Sequence, residues 1–195
     1  MNRRSGIESK RNILKAAMDV FLRKGYAKAS IREIASIAGI SIGGVYLYFK
    51  NKEELYKNLI GEKMLEIASQ TEMIAERTES APEALSRILS IHLENALKHR
   101  EFILLHIREH GFAFGAEEKR KFFSRQRDMI KQIIQKGIKS GEFRKCNAEQ
   151  IATMIMASLR GIILSVALDN TVITSKMLNE YIFNGLYLLR KEDRL

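Results

Sequence analysis

Proline occurs once in the 195 residues, at Pro82, and cysteine once, at Cys146. A single cysteine excludes an intramolecular disulfide framework and a thiolate metal cluster, so Cys146 reads as an ordinary thiol near a loop. No run of about 18 apolar residues occurs, so no segment is expected to span a membrane. The N-terminal stretch MNRRSGIESKRN is basic but precedes no apolar signal core, which points to a cytoplasmic protein. Gly-x-Ser-x-Gly, a Walker loop and a dinucleotide fingerprint are all missing. None of the four histidines has a glutamate three residues before it, so the paired Glu-x-x-His of di-iron helical bundles is missing too. An enzyme is therefore not expected, nor a cofactor. There are no β-strand blocks, repeats or low-complexity tracts.

What is present is a folded, mostly helical composition with 46% hydrophobic residues. The net charge is +10, and it is unevenly spread. Residues 1–52 hold 11 Lys and Arg against 3 Asp and Glu, a balance of +8, whereas the other 143 hold 22 against 20. Such concentration favours a polyanion partner, most simply nucleic acid, although a solubilising face would carry the same charge.

Residues 8–24 repeat apolar side chains at Ile13, Ala17, Val20 and Phe21, one helical face, and Gly25 ends the run. Ser30 and Glu33 have capping-box spacing, followed by a stripe of Ile34, Ala35 and Ala38 that stops at Gly39. Ser41 caps a third helix, with Ile40 and Val45 placed as a hydrophobic staple, and Asn51 caps a fourth. Two short helices joined by a glycine turn inside a basic three-helix unit make a helix-turn-helix.

The third helix holds Gly43 and Gly44 side by side, although each glycine costs a helix about 1 kcal/mol against alanine. Val45 and Phe49 face inward, while Ile42, Gly43, Tyr46 and Leu47 share the outward face. A bare Gly43 lets the helix backbone press close to bases or phosphates, and Gly44 adds to that approach; the alternative is that both are merely tolerated.

The stretch resembles the tetracycline-repressor (TetR) family, whose pattern runs T-x-x-x-I-A-x-x-A-G-V-S-x-G-x-x-Y-x-[YH]-F-x-[NSD]-K-[ED]-x-L. Here it reads Ser30, Ile34-Ala35, Ala38-Gly39-Ile40-Ser41, Gly43, Tyr46, Tyr48-Phe49, Asn51-Lys52-Glu53 and Leu55. Departures are mild: Ser30 replaces threonine and Ile40 replaces valine. The resemblance is dense over residues 8–60 and implies a dimeric, ligand-responsive transcriptional repressor. It places Tyr46, Tyr48 and Lys52 on phosphates and Ser41, Ile42, Gly43 and Leu47 nearest the bases. Arg32 would reach a base or phosphate, and Ser30 and Gly44 complete the expected DNA-binding set. No Arg, Lys, Asn or Gln lies between Ser41 and Phe49, so shape and deformability should carry a larger share of specificity.

The expected architecture is all-α, about nine helices. A DNA-binding domain at 1–52 precedes a ligand-binding and dimerisation domain at 53–195. A fourth helix runs from Lys52 to about Arg77, and Pro82 opens a fifth after Ser80. A break near His99-Arg100-Glu101 precedes a sixth; a seventh stops at Gly141, an eighth follows Asn147 and a ninth follows Thr174. The last two helices are apolar on more than one face. By resemblance they form the homodimer interface, through Ile155, Leu159, Ile162, Ile163, Val166, Leu178, Tyr181, Ile182 and Leu186; packing within one subunit is the alternative. A sensor pocket, also implied by resemblance, would draw on Phe102, His106, Phe112, Phe122, Met129, Met154 and Ser158; the alternative is that such residues are simply core. It would take a hydrophobic or amphipathic small molecule, a fatty-acyl compound or a lipophilic cation. His92, His99, His106 and His110 leave a metal-responsive regulator as an alternative, although no carboxylate or thiolate motif converges on them. An architectural DNA-binding protein without a ligand is a further alternative.

Overall fold

The computed structural model describes residues 3–111, 114–168 and 180. Among them are eight helices and no strand: α1 (Arg3–Lys28), α2 (Ile31–Ala38), α3 (Ile42–Tyr46), α4 (Lys52–Arg77), α5 (Ala81–Lys98), α6 (Arg100–His110), α7 (Ala116–Ser140) and α8 (Ala148–Leu168). The expected ninth helix, with Leu178, Tyr181, Ile182 and Leu186, lies outside the described residues, as do Phe112 and the side chain of Val166. No helix of the described residues is long and apolar enough to cross a membrane.

The chain forms two compact units, Met1–Met64 with Glu101–Ala116, and Leu65–Arg100 with Glu117–Leu195. In the first, Ile13, Ala17, Val20 and Phe21 of α1 are fully buried together with Ile34 of α2, Val45 of α3 and Leu55 and Tyr56 of α4. Gly25 leaves helical geometry at φ 77°, where the sequence places the end of the first helix. The Ser30 hydroxyl accepts from Glu33 N at 3.2 Å, as an N-cap should. The Glu33 carboxylate turns instead to Lys24 Nζ, 2.8 Å away, and ties α2 to α1.

Tyr56 is the hub of this unit's aromatic core. Its ring centroid lies 4.4 Å from His110, 5.1 Å from Phe21 and from Tyr26, and 5.7 Å from Phe102 and from Phe114. The Tyr56 hydroxyl sits 3.4 Å from His106 Nδ1. Burial pushes the Tyr56 phenol well above its ordinary range and His110 below its own. These positions correct the pocket expectation for Phe102 and His106. α6 packs them into the core of the first unit, because His99 breaks the chain before α6 begins.

The second unit buries Leu85, Ile88 and Leu93 of α5, Ile130 and Ile134 of α7, Phe143, and Ala152, Met156 and Leu159 of α8. Ser80 caps α5 with Pro82 in its first turn, and Asn147 Oδ1 accepts from Gln150 N at 3.1 Å to start α8. A methyl added at Gly137 would lie 2.3 Å from Phe143 Cδ2 and 2.9 Å from Ala81 Cβ, so α7 can pass there only as glycine. On α8, Leu159 is core rather than interface, and Ile155, Ile162 and Ile163 are half-buried against that core. Ala152, Met156 and Leu159 set the buried face, which turns Met154 (65% exposed) and Ser158 outward. Met154 and Ser158 therefore line no interior site in this unit. Phe122 packs 5.1 Å from Phe123, and Met129 is half-buried against the core.

Candidate nucleic-acid interface

The helix-turn-helix is built from local capping. α2 ends at Gly39, φ 69°, a left-handed conformation that suits glycine, and Ile40 N donates back to Ala35 O at 3.1 Å. Ser41 then opens α3, its hydroxyl accepting from Gly44 N at 3.0 Å. Val45 and Phe49 anchor α3 in the core. That leaves Ile42 39%, Tyr46 51% and Leu47 78% exposed, with Ser41 and Gly43 also exposed. Three large apolar side chains are thus displayed within six residues of the chain.

The two glycines differ. A methyl on Gly43 would meet Ser41 Oγ at 4.0 Å, ordinary contact, so its outward side is open. A methyl on Gly44 would press on Ser41 Oγ at 3.3 Å and on Ile40 at 3.5 Å. Gly44 is thus small for the sake of the N-cap and the residue before it, rather than for approach to a groove.

Lys52, expected on a phosphate, points into the protein. Its ammonium donates to the carbonyls of Tyr26 (2.8 Å), Ala27 (3.3 Å) and Ala29 (3.0 Å). It also lies 4.5 Å from the Tyr26 ring centroid. The ammonium closes the carbonyl end of α1 onto the first turn of α4. Tyr48 is half-buried, its hydroxyl sealed in and without a hydrogen-bond partner among the described residues; a methyl on Gly6 would sit 3.8 Å from it. Ser30 is occupied as a cap, and Arg32 is exposed.

The charge of the unit is arranged, not merely abundant. Asp19 pairs with Arg23 at 2.9 Å and Glu33 with Lys24, which satisfies two of the segment's three acids. Lys28, Arg32 and Lys50 are exposed and make no ion pair among the described residues, so they are open to an external anion. Lys28 and Lys50 are not among the contacts expected from the sequence, and no sequence spacing marks them: Glu54 lies four residues after Lys50 yet bonds its backbone N–H rather than its ammonium.

Of the histidines, His92 bonds Gln126 and His106 and His110 pack on Tyr56. No group of three or more His, Cys, Asp or Glu among the described residues could hold a metal ion.

A glycine-turned helix pair, the second helix displayed from a basic unit, defines a helix-turn-helix DNA-binding protein. The profile described as bacterial regulatory proteins, tetR family, matches residues 13–59. The chain belongs to that family of DNA-binding transcriptional regulators. It is 33% identical over 120 residues to the HTH-type transcriptional regulator YerO of Bacillus subtilis (strain 168), covering 60% of this chain but 41% of that one. It is 29% identical over 135 residues to the fatty acid metabolism regulator protein of the same organism, 68% of this chain and 70% of that one. Its fold resembles the crystal structure of the transcriptional regulator FadR from Bacillus subtilis in complex with stearoyl-CoA. That match has a TM-score of 0.73 at 23% identity over 92% of this chain and 99% of that one.

Proposed function

We propose that this regulator is a homodimeric repressor, acting in the cytoplasm, that a fatty-acyl effector releases from its operator. The displayed α3, with Ile42, Tyr46 and Leu47 held outward by the burial of Val45 and Phe49, carries the DNA-reading part. Ser41, Ile42, Gly43 and Leu47 would meet base edges, and Tyr46, Arg32, Lys28 and Lys50 the backbone, while Tyr48, whose hydroxyl is sealed in, would not reach it. One five-residue helix reads too little DNA alone, and two copies at successive major grooves, ~34–36 Å apart or a multiple of that, would supply the rest.

The dimer reading is supported by the outer face of α8. Met154, Ala157, Gly161 and Leu168 are exposed there at helical spacing on a strongly apolar helix. The acyl class is supported by the relative named as a fatty acid metabolism regulator. A long-chain acyl compound also suits a second unit whose core is almost wholly apolar.

Fluorescence anisotropy of labelled DNA from upstream of the protein's own gene, against random DNA, tests this reading. We expect preference for the upstream DNA and release on adding stearoyl-CoA. Equal binding of both DNAs would favour an architectural protein, and release by a lipophilic cation but not by stearoyl-CoA would replace the acyl class.

A further inference from the structure

The outward face of α3 carries little hydrogen-bonding chemistry. Val45 is 0% and Phe49 1% exposed, and these two anchors fix which way the helix faces. Leu47 keeps helical geometry at φ −66° and ψ −25°, its N–H donating to Gly43 O at 3.1 Å. Gly43 and Leu47 therefore share one strip of the outward face, and Ile42 and Tyr46 the strip beside it. A methyl on Gly43 would meet only Ser41 Oγ, 4.0 Å away, so the strip is open beside Leu47. Leu47 itself is 78% exposed and Ile42 39%.

Bidentate recognition of guanine takes Arg or Lys, and that of adenine takes Asn or Gln. None of these four residue types lies between Ser41 and Phe49. Ser41 Oγ already accepts from Gly44 N at 3.0 Å, which leaves a single hydroxyl proton to give. The feature of the major groove that an aliphatic side chain can read is the thymine C5-methyl. It projects from one side of an A·T pair only, so it also tells A·T from T·A. The charge of the unit bears on what covers this face. Lys28, Arg32 and Lys50 are exposed and make no ion pair among the described residues, so a second copy docked here would bring like charges together. A duplex offers phosphates to the cations and methyl groups to the apolar side chains at once.

We propose that Leu47 and Ile42 read thymine C5-methyl groups in the major groove. The bases beneath α3 are then specified by where thymines stand, not by hydrogen bonds to guanine or adenine. This inference rests on the DNA-reading part of the function proposed above and adds the base chemistry it uses.

The test starts by selecting the preferred site of the full chain from a random duplex library. Fluorescence anisotropy then compares that duplex with versions in which single thymines are replaced by deoxyuridine, which pairs alike and lacks only the methyl. The wild type should bind roughly fourfold more weakly for each methyl removed beneath α3, the effect of exposing about one buried methyl group. Replacement at other thymines should change nothing. Leu47→Ala should bind the thymine duplex more weakly and lose the preference for thymine at one position. Ile42→Ala should lose it at another. An effect of the missing methyl on DNA shape would persist in both variants. Wild-type affinity that ignores every deoxyuridine replacement would overturn the proposal without any variant having to fold. So would alanine variants that keep the full preference at every position. A selection that yields no preferred sequence would instead overturn the operator reading on which the inference stands.

Discussion

Lys52 donates its ammonium to three main-chain carbonyls, and this changes what its removal should do. Lys52→Met should weaken operator binding across all sequences and lower stability by about 1–3 kcal/mol, through unsatisfied carbonyls. The slope of log K against log[salt] should stay as in the wild type. A slope smaller by about 0.9 would mean that Lys52 neutralises a phosphate after all. Gly137 carries a purely steric prediction: Gly137→Ala drives a methyl onto Phe143 and Ala81 and should cost about 1–3 kcal/mol by chemical denaturation. An unchanged midpoint would show that the α5–α7 packing yields more easily than the distances imply. His92 sets a pH dependence. Its pKa is lowered in the folded state, so the unfolded chain binds the proton more readily. Its contribution is therefore fully present above the unfolded value of about 6.5 and is lost as pH falls below it. Thermal scans from pH 7.5 to 5 should fall more steeply for wild type than for His92→Phe; parallel curves would contradict this.

At the scale of the element, what was legible in the sequence was what local chemistry decides. Ser30, Gly39, Ser41, Pro82, Gly141 and Asn147 mark helix ends by rules that reach only a few residues, and the structure ends its helices there. The buried stripe of α1 was legible for the same reason, because 3.6-residue periodicity is local. α6 was placed correctly along the chain but not in space. That Phe102 and His106 join Tyr56 and Phe21 follows from packing between elements far apart in sequence, which no spacing encodes. The outward turn of Met154 and Ser158 was hidden because α8 is apolar on several faces, so periodicity did not say which face is buried. α3 carries the element-scale prediction. Gly43→Leu fills an open, outward position, so stability should hold or rise, since leucine is the better helix former. Operator binding should be lost, because the new side chain stands between the helix and the groove. Wild-type affinity in a gel shift would show that close approach at Gly43 has no part in recognition.

For the whole molecule, the chain passes between its two units within α4 at Met64–Leu65, and again at Arg100–Glu101 and Ala116–Glu117. A ligand can act on DNA binding only through unequal affinity for two arrangements of the protein. DNA binding itself should depend steeply on salt, with roughly 6–10 phosphates neutralised per dimer at a slope of about −0.9 each. A nearly flat response would deny the role given to the cations of residues 1–52. The claim that joins both units is ligand-controlled release, and linkage makes it reciprocal. The deciding measurement is a titration of the protein with stearoyl-CoA in the presence and absence of saturating operator DNA. The account predicts that operator weakens stearoyl-CoA binding by the same factor by which stearoyl-CoA weakens operator binding, roughly 5–150-fold. Equal affinity for stearoyl-CoA with and without operator would contradict it.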